Sequence, residues 1–295
     1  MLNKIIEWAQ KDDAIRAAIL TGSRAGKQQS VDRFSDFDIA LFVSDPQKYT
    51  RDDAWIHALG NVSVSIPEKV DFDNQKIPTR LIVFEGGVGA DISLWPADYL
   101  DTLIIRKQLP FACECAYSIL IDKDNKAQHL PTALGKRNQA TQPSQEEFAS
   151  AVKVFFFEVF NCAKYIVRGD LWHAKLRDWT TKEYLLRMIE WHAHAMHGPD
   201  YDTFWHGKNM SKWVDKDIWA ALGSCFGRFD AVDSHKALMA TVSLFRNLAM
   251  QTAEKLGYEY SKNIDESISQ FIRLCGGHVK EVAESGKHDE RKSTV

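Results

Sequence analysis

The stretch Phe34-Ser35-Asp36-Phe37-Asp38-Ile39-Ala40-Leu41-Phe42-Val43 decides how this 295-residue chain is read. It joins a pair of carboxylates to an apolar run with the composition of a buried strand. In an extended chain, side chains two apart project from the same face, so Asp36 and Asp38 aim together while Phe37 and Ile39 point into the core. Such a pair repels itself. Its place on a strand makes sense if divalent cations sit between the carboxylates and hold triphosphate oxygens.

Upstream, Ala17-Ala18-Ile19-Leu20 reads as a short buried strand, and Thr21-Gly22-Ser23-Arg24 then turns the chain into a helix or irregular loop. Gly22 lets the backbone come close to a ligand, successive N–H groups and the Ser23 hydroxyl suit phosphate oxygens, and Arg24 adds positive charge. A Walker loop is excluded: Gly22 and Gly26 are one residue too close together, and Gln28 follows Lys27 where Ser or Thr is needed. Lys27 is therefore read as a solvated loop residue.

A third carboxylate stands in Val88-Gly89-Ala90-Asp91-Ile92-Ser93-Leu94-Trp95-Pro96, which follows Leu81-Ile82-Val83-Phe84. The two segments predict a hairpin around Glu85-Gly86-Gly87, with Pro96 ending the second strand. If that hairpin lies beside the Asp36 strand, Asp91 reaches the other two. Its expected roles are metal ligand and acceptor of the attacking hydroxyl's proton. A Gly-Ser turn or an Asp-x-Asp alone is usually an ordinary turn or a solvated strand edge. The combination and the third carboxylate are what raise it to a candidate site.

The order apolar residue, Gly22, Ser23, a twelve-residue spacer, then Asp36-Phe37-Asp38-Ile39 resembles the signature of the nucleotidyltransferase superfamily that includes DNA polymerase beta. Phe42-Val43-Ser44-Asp45 and Asp91-Ile92-Ser93-Leu94 are similar, more narrowly, to the aminoglycoside 6-adenylyltransferases, which modify streptomycin. So are Ala174-Lys175 after Arg168-Gly169-Asp170, the run Leu185 to Trp191, and Gly207-Lys208 followed by Lys212. Asp170 stands where that family is expected to carry Glu, and His192-Ala193 differs from the family pair after Trp191. The resemblance implies transfer of AMP from ATP to a hydroxyl of an aminoglycoside such as streptomycin. Two Mg2+ ions would be held by Asp36, Asp38 and Asp91. Gly22, Ser23, Arg24 and Lys175 would contact the nucleotide, and Asp170 and Trp172 the substrate. Within the same chemistry the acceptor stays open, a lincosamide among the alternatives. A catalytically silent nucleotide-binding regulatory protein is the alternative from another class.

Read without the resemblance, Lys175 is a solvated helix lysine, and Trp172 is one of nine tryptophans, most of them expected in cores. His192, His194 and His197 share a predicted helix, but only His194 and His197 share a face, so a three-histidine metal site is not expected. Cys113-Glu114-Cys115 reads as two packing thiols on one strand face.

A net charge of −3 argues against a nucleic-acid partner, which normally meets a basic face, and suits a cationic small-molecule acceptor. No apolar run approaches the roughly 18 residues needed to span a bilayer, and the first residues lack a secretory core. A cytoplasmic protein with no membrane partner is expected, and a monomer. Five scattered cysteines give neither a disulfide framework nor a zinc ribbon.

Organisation changes in the breaker-rich stretch 122–143. Ser144 with Glu147 then forms a capping-box signature, and Phe148, Ala151, Val152, Phe155, Val159, Cys162, Ala163 and Ile166 repeat at helical spacing. Further helical patterns cover 179–197, 215–226 and 234–256, and in the first half 1–10 and 51–59. The fold class expected is an α+β N-terminal nucleotidyltransferase domain, a small mixed sheet with flanking helices, plus an all-helical C-terminal bundle domain. The boundaries are 1–143 for the catalytic domain with its linker, 144–280 for the helical substrate- and nucleotide-binding domain, and 281–295 for a flexible tail. A cleft between two such domains is a common place for a small-molecule site.

Overall fold

The structure is a computed structural model that describes residues 1–26, 31–135 and 142–292, with the side chains of Trp205 and of 280–292 outside that set. Lys27 and Gln28, part of the expected linker and the end of the expected tail thus lie outside the described residues. The chain divides into two compact units, Met1–Asn138 and Gln139–Val295.

The first unit is built on one mixed sheet. Its strands are β1 (Ile15–Thr21), β2 (Phe37–Val43), β3 (Val62–Phe72), β4 (Gln75–Phe84), β5 (Val88–Pro96) and β6 (Ser118–Asp122), in the spatial order β3-β4-β5-β2-β1-β6. Only β2 and β5 pair in parallel; all other neighbours are antiparallel. The hairpin expected around Glu85 to Gly87 is the β4–β5 connection, where Gly86 and Gly87 both have positive φ. Period-2 alternation splits the sheet into two faces. Ala18, Leu20, Ile39, Leu41, Ala90, Ile92 and Leu94 pack with Ile5 and Ala9 of α1 (Leu2–Lys11) and with Tyr49 and Ile56 of α2 (Pro46–Arg51) and α3 (Ala54–His57). On the opposite face, Ala17, Ile19, Ala40, Phe42, Ile77 and Trp95 pack with Tyr99, Leu100 and Leu103 of α4 (Tyr99–Arg106) and Cys113 of α5 (Phe111–Glu114).

Two expectations for this unit change. The helix expected over 51–59 is the shorter α3, and a separate short helix, α2, precedes it and ends at Arg51. Asp45 caps α2, its carboxylate accepting from Gln47 N with Pro46 at the first turn, and Asp52 leaves helical geometry before Ala54. Asp53 is then free to pair with the buried Arg80 guanidinium at 2.8 Å. Cys113-Glu114-Cys115 is a helical turn after Pro110 rather than a strand, and burial pushes the Cys113 thiol up to about 12. The long edge strand β3, which carries Pro67 and alternates Val62-Ser63-Val64-Ser65-Ile66, was not among the strands expected, and its apolar side is largely exposed.

The second unit is helical throughout its described residues: α6 (Gln145–Val167), α7 (Leu171–His197), α8 (Met210–Trp213), α9 (Lys216–Leu222), α10 (Ala231–Leu256) and α11 (Lys262–Lys292). The capping box is formed as expected, with Ser144 Oγ accepting from Glu147 N at 3.1 Å and Glu147 accepting from Ser144 N at 2.8 Å. Every residue of the predicted helical repeat from Phe148 to Ile166 is buried, and Phe155 stacks on Phe245 of α10 with centroids 3.6 Å apart. Arg246 of α10 donates twice to Asp265 of α11 at 2.5 Å. Helix α7 starts eight residues before the expected 179. Its first turns carry Trp172, Leu176 and Trp179 on the exposed side, which erases the apolar-in periodicity on which the expectation rests. Segment 281–295, expected as a tail, is helical as far as Lys292.

His192 and His194 are buried on α7, bonded to Gln251 and to the Tyr201 carbonyl, and burial lowers both from the ordinary histidine value. Glu190 on the same helix is pushed up to about 7 by burial, against the pull of Arg187. In the folded protein Glu190 therefore holds a proton that it has already released in the unfolded chain, so its contribution to stability falls as pH rises from the ordinary value of 4.5 towards 7, while His192 and His194, lowered from theirs, contribute with the opposite sign. Urea unfolding at the two ends of that window should show stability rising more with pH in Glu190→Gln than in the parent.

Candidate functional site

Register pairing places the acidic residues. Asp38 of β2 lies directly opposite Asp91 of β5 in the parallel pair, and Thr21 of β1 lies opposite Asp38 on its other side. On β4, Leu81 is the partner of Asp91. One row of the sheet thus reads Leu81, Asp91, Asp38, Thr21, all on one face. Asp36 immediately precedes β2 on the same face, and its Oδ1 lies 1.9 Å from where a Cβ on Gly89 would stand. Gly89, two residues before Asp91, therefore leaves the space that the Asp36 carboxylate fills.

Gly22 does the same for Asp38. It opens the 3-10 turn Gly22–Arg24 with φ +66, and a Cβ there would fall 1.9 Å from Asp38 Oδ2. Only a residue without a side chain meets both demands. Thr21 is buried and its hydroxyl donates to the Asp38 carbonyl at 3.3 Å, which fixes the start of β2 against the turn. The turn that was expected to hold phosphate is thus packed against one of the carboxylates expected to hold metal.

Arg24 is engaged within its own loop. Its guanidinium donates to the Ser35 carbonyl at 2.7 Å, the Asp36 carbonyl at 3.1 Å and the Asp32 carbonyl at 3.2 Å, and lies 4.0 Å from the centroid of the Phe37 ring. It braces the segment that delivers Asp36. Ser23 sits half-buried in the turn.

The expected cluster of three carboxylates is not closed. Asp38 and Asp91 are brought together, while Asp36 lies one register row away over Gly89. Among the described residues, no group of three or more His, Cys, Asp or Glu side chains is gathered tightly enough to hold a metal ion. The donor set still fits a hard divalent cation: all its donors are carboxylate oxygens, on one face of two adjacent strands, with two glycines clearing space around them.

The remaining expected site residues belong to the second unit. Lys175 Nζ donates to the Gly227 carbonyl at 2.6 Å. Asp170 is the exposed residue before α7 and makes no side-chain cap bond. Trp172 is 82% exposed. A cavity of about 1270 Å³ in this unit is lined by Trp179, Glu183, Glu190, Trp219 and Phe226 among others, and by none of Lys175, Asp170 or Trp172.

Sequence reasoning passed over Gly89 and Thr21. The spacing Gly89-x-Asp91 mirrors Asp36-x-Asp38, so the signal was present, but it becomes legible only once the register of β2 against β5 is known.

The family description "Streptomycin adenylyltransferase" matches residues 1–275 of the chain. Among curated proteins the chain is similar to the aminoglycoside 6-adenylyltransferase of Campylobacter jejuni, 27% identical, covering 91% of this chain and 92% of that protein. It is also similar to the enzyme of the same name from Bacillus subtilis (strain 168), 24% identical, covering 92% and 95%. Among solved structures, an aminoglycoside 6-adenyltransferase from Bacillus subtilis aligns over 93% of this chain and 97% of that one, with 21% identity and a TM-score of 0.45.

Gly22→Ala should lower stability by about 1 kcal/mol or more, because the added methyl meets both a positive φ and the Asp38 carboxylate. Thermal unfolding of this variant against Gly86→Ala, where a Cβ meets nothing within 4 Å, separates the carboxylate clash from backbone strain.

Proposed function

Because the chain belongs to the streptomycin adenylyltransferase family, and so to the nucleotidyltransferase enzymes, we propose that it transfers AMP from ATP to a hydroxyl of an aminoglycoside such as streptomycin. The observation that carries this reading is the register pair Asp38–Asp91, with Asp36 on the same face and Gly22 packed against Asp38. Adenylyl transfer needs an acceptor oxygen, a proton acceptor and a charge clamp on the triphosphate at one place. The acceptor brings the first, and two adjacent parallel strands with the turn after β1 supply candidates for the other two.

In this mechanism the acceptor hydroxyl oxygen forms a bond to the α phosphorus of ATP as the bond to the departing pyrophosphate breaks. The hydroxyl proton passes to the Asp91 carboxylate, the proton acceptor of the site. The turn at Gly22 and Ser23 grips the outer phosphates through backbone N–H groups. Asp36, Asp38 and Asp91 would hold two magnesium ions, whose chemistry when bound is to neutralise triphosphate oxygens and lower the pKa of the acceptor hydroxyl. Arg24, bonded to the carbonyls around Asp36, keeps that loop in place. A cationic acceptor is favoured because the chain as a whole is acidic.

The test is pyrophosphate release with magnesium and ATP across a panel of aminoglycosides and lincosamides. Release with at least one aminoglycoside, and its loss by about a thousandfold or more in Asp38→Asn with unchanged thermal unfolding, is the expected result. Tight ATP binding with no release for any acceptor would sink the reading and leave a nucleotide-binding regulator.

A further inference from the structure

The face that carries Asp38 and Asp91 continues outward across two more strands. Beyond Asp91, register pairing leads to Leu81 on β4 and then to Ile66 on β3, and the neighbouring row runs from Gly89 to Val83 to Val64. Directly opposed residues share a face, so Val64, Ile66, Leu81 and Val83 form one apolar patch beside the carboxylates. Val64 is 49%, Ile66 52% and Val83 42% exposed. Single exposed aliphatics are ordinary, but three in adjoining register positions, with the half-buried Leu81 between them, are a surface feature. Glu68, the next residue of β3 on this face, is exposed and lies opposite Thr79.

Two boundaries and the geometry of the transfer limit what can lie there. On the Asp38 side the row ends at Thr21 and the Gly22 turn, where the phosphates are placed in the reading above. Towards the other end of the strands the face is closed by Phe42, Trp95 and Tyr99, packed on one another. In-line transfer puts the attacking oxygen opposite the leaving pyrophosphate, so the acceptor lies away from the turn. Within this unit the exposed direction is across β4 and β3. Ile66 is two strands from Asp91, about 10 Å at the usual spacing of neighbouring strands, within the span of a glycoside of a few rings.

Resting on the proposed function, we propose that Val64, Ile66, Leu81 and Val83 are the platform on which the non-reacting rings of a polycationic sugar acceptor lie. Glu68 at its border pairs with an amine or guanidinium of that acceptor. The C–H faces of sugar rings lose water against branched aliphatic side chains. Glu68, which holds no metal in this reading, selects a charged substituent. The platform positions the acceptor and takes no part in the transfer.

The experiment uses the full chain and whichever aminoglycoside supports pyrophosphate release. The double variant Val64→Ser with Ile66→Ser should raise the acceptor KM, and its Kd by calorimetry, about three- to tenfold, with the KM for ATP and kcat within about twofold of the parent. Glu68→Gln should raise the acceptor KM at low salt and lose most of that effect at high salt. Both sites are exposed, so thermal unfolding should be unchanged. Acceptor KM and Kd equal to the parent in all variants, while Asp38→Asn abolishes transfer, would overturn the platform and leave the proposed function standing. Conversion of a dimeric parent to a monomer by the double variant would also overturn it, since the patch would then be a contact between copies of the chain. If no aminoglycoside is modified at all, the functional reading falls and the platform with it.

Discussion

The parallel pairing of β2 with β5 is the constraint on which the rest of the first unit depends. It sets two carboxyl groups, Asp38 and Asp91, side by side, an arrangement that like-charge repulsion does not favour. The opposite face outweighs that. Ile39, Leu41, Ile92 and Leu94 pair in the same register and are almost wholly buried, each contributing roughly 1.5–3 kcal/mol relative to exposure. A slip of one residue would turn those side chains outward and one of the carboxylates inward. The apolar core under α1, α2 and α3 therefore holds the two carboxylates together from behind.

Much of this was legible in the residues. Asp36-Phe37-Asp38 followed by an apolar run states a strand with its acids on one face, and the Gly86-Gly87 turn states the hairpin that carries Asp91. The capping box at Ser144 and the repeat from Phe148 to Ile166 specified α6, because propensity, cap chemistry and burial agree there. The sequence did not show which strand lies beside which. Parallel register comes from long-range packing, so the space that Gly89 leaves for Asp36 and the closeness of Gly22 to Asp38 appear only in three dimensions. Arg24 shows the same limit. Its Nε and Nη2 donate to three carbonyls of its own loop, a bracing role that its charge alone does not state.

Where the sequence misled, local chemistry competed with pattern. The helix expected over 51–59 breaks because Asp52 and Asp53 sit inside it, one leaving helical geometry and the other held by Arg80. The start of α7 was hidden because its first turns show large apolar residues to the surface, the reverse of the usual amphipathic rule. Family membership covers both units, since the match runs to residue 275. Among the described residues, no helix is long and apolar enough to cross a membrane, despite the length of α6, α7, α10 and α11.

Pro67, in the middle of the outermost strand β3, has a consequence for how the molecule behaves in a crowded solution. An uncovered strand carrying Val64, Ile66 and Val70 is a template on which another polypeptide can lay itself down, hydrogen bond by hydrogen bond. A residue without an amide proton interrupts that ladder, and the charges that follow at Glu68 and Lys69 make continuation costly. The strand can thus keep an oily side chain row in water without seeding fibrils.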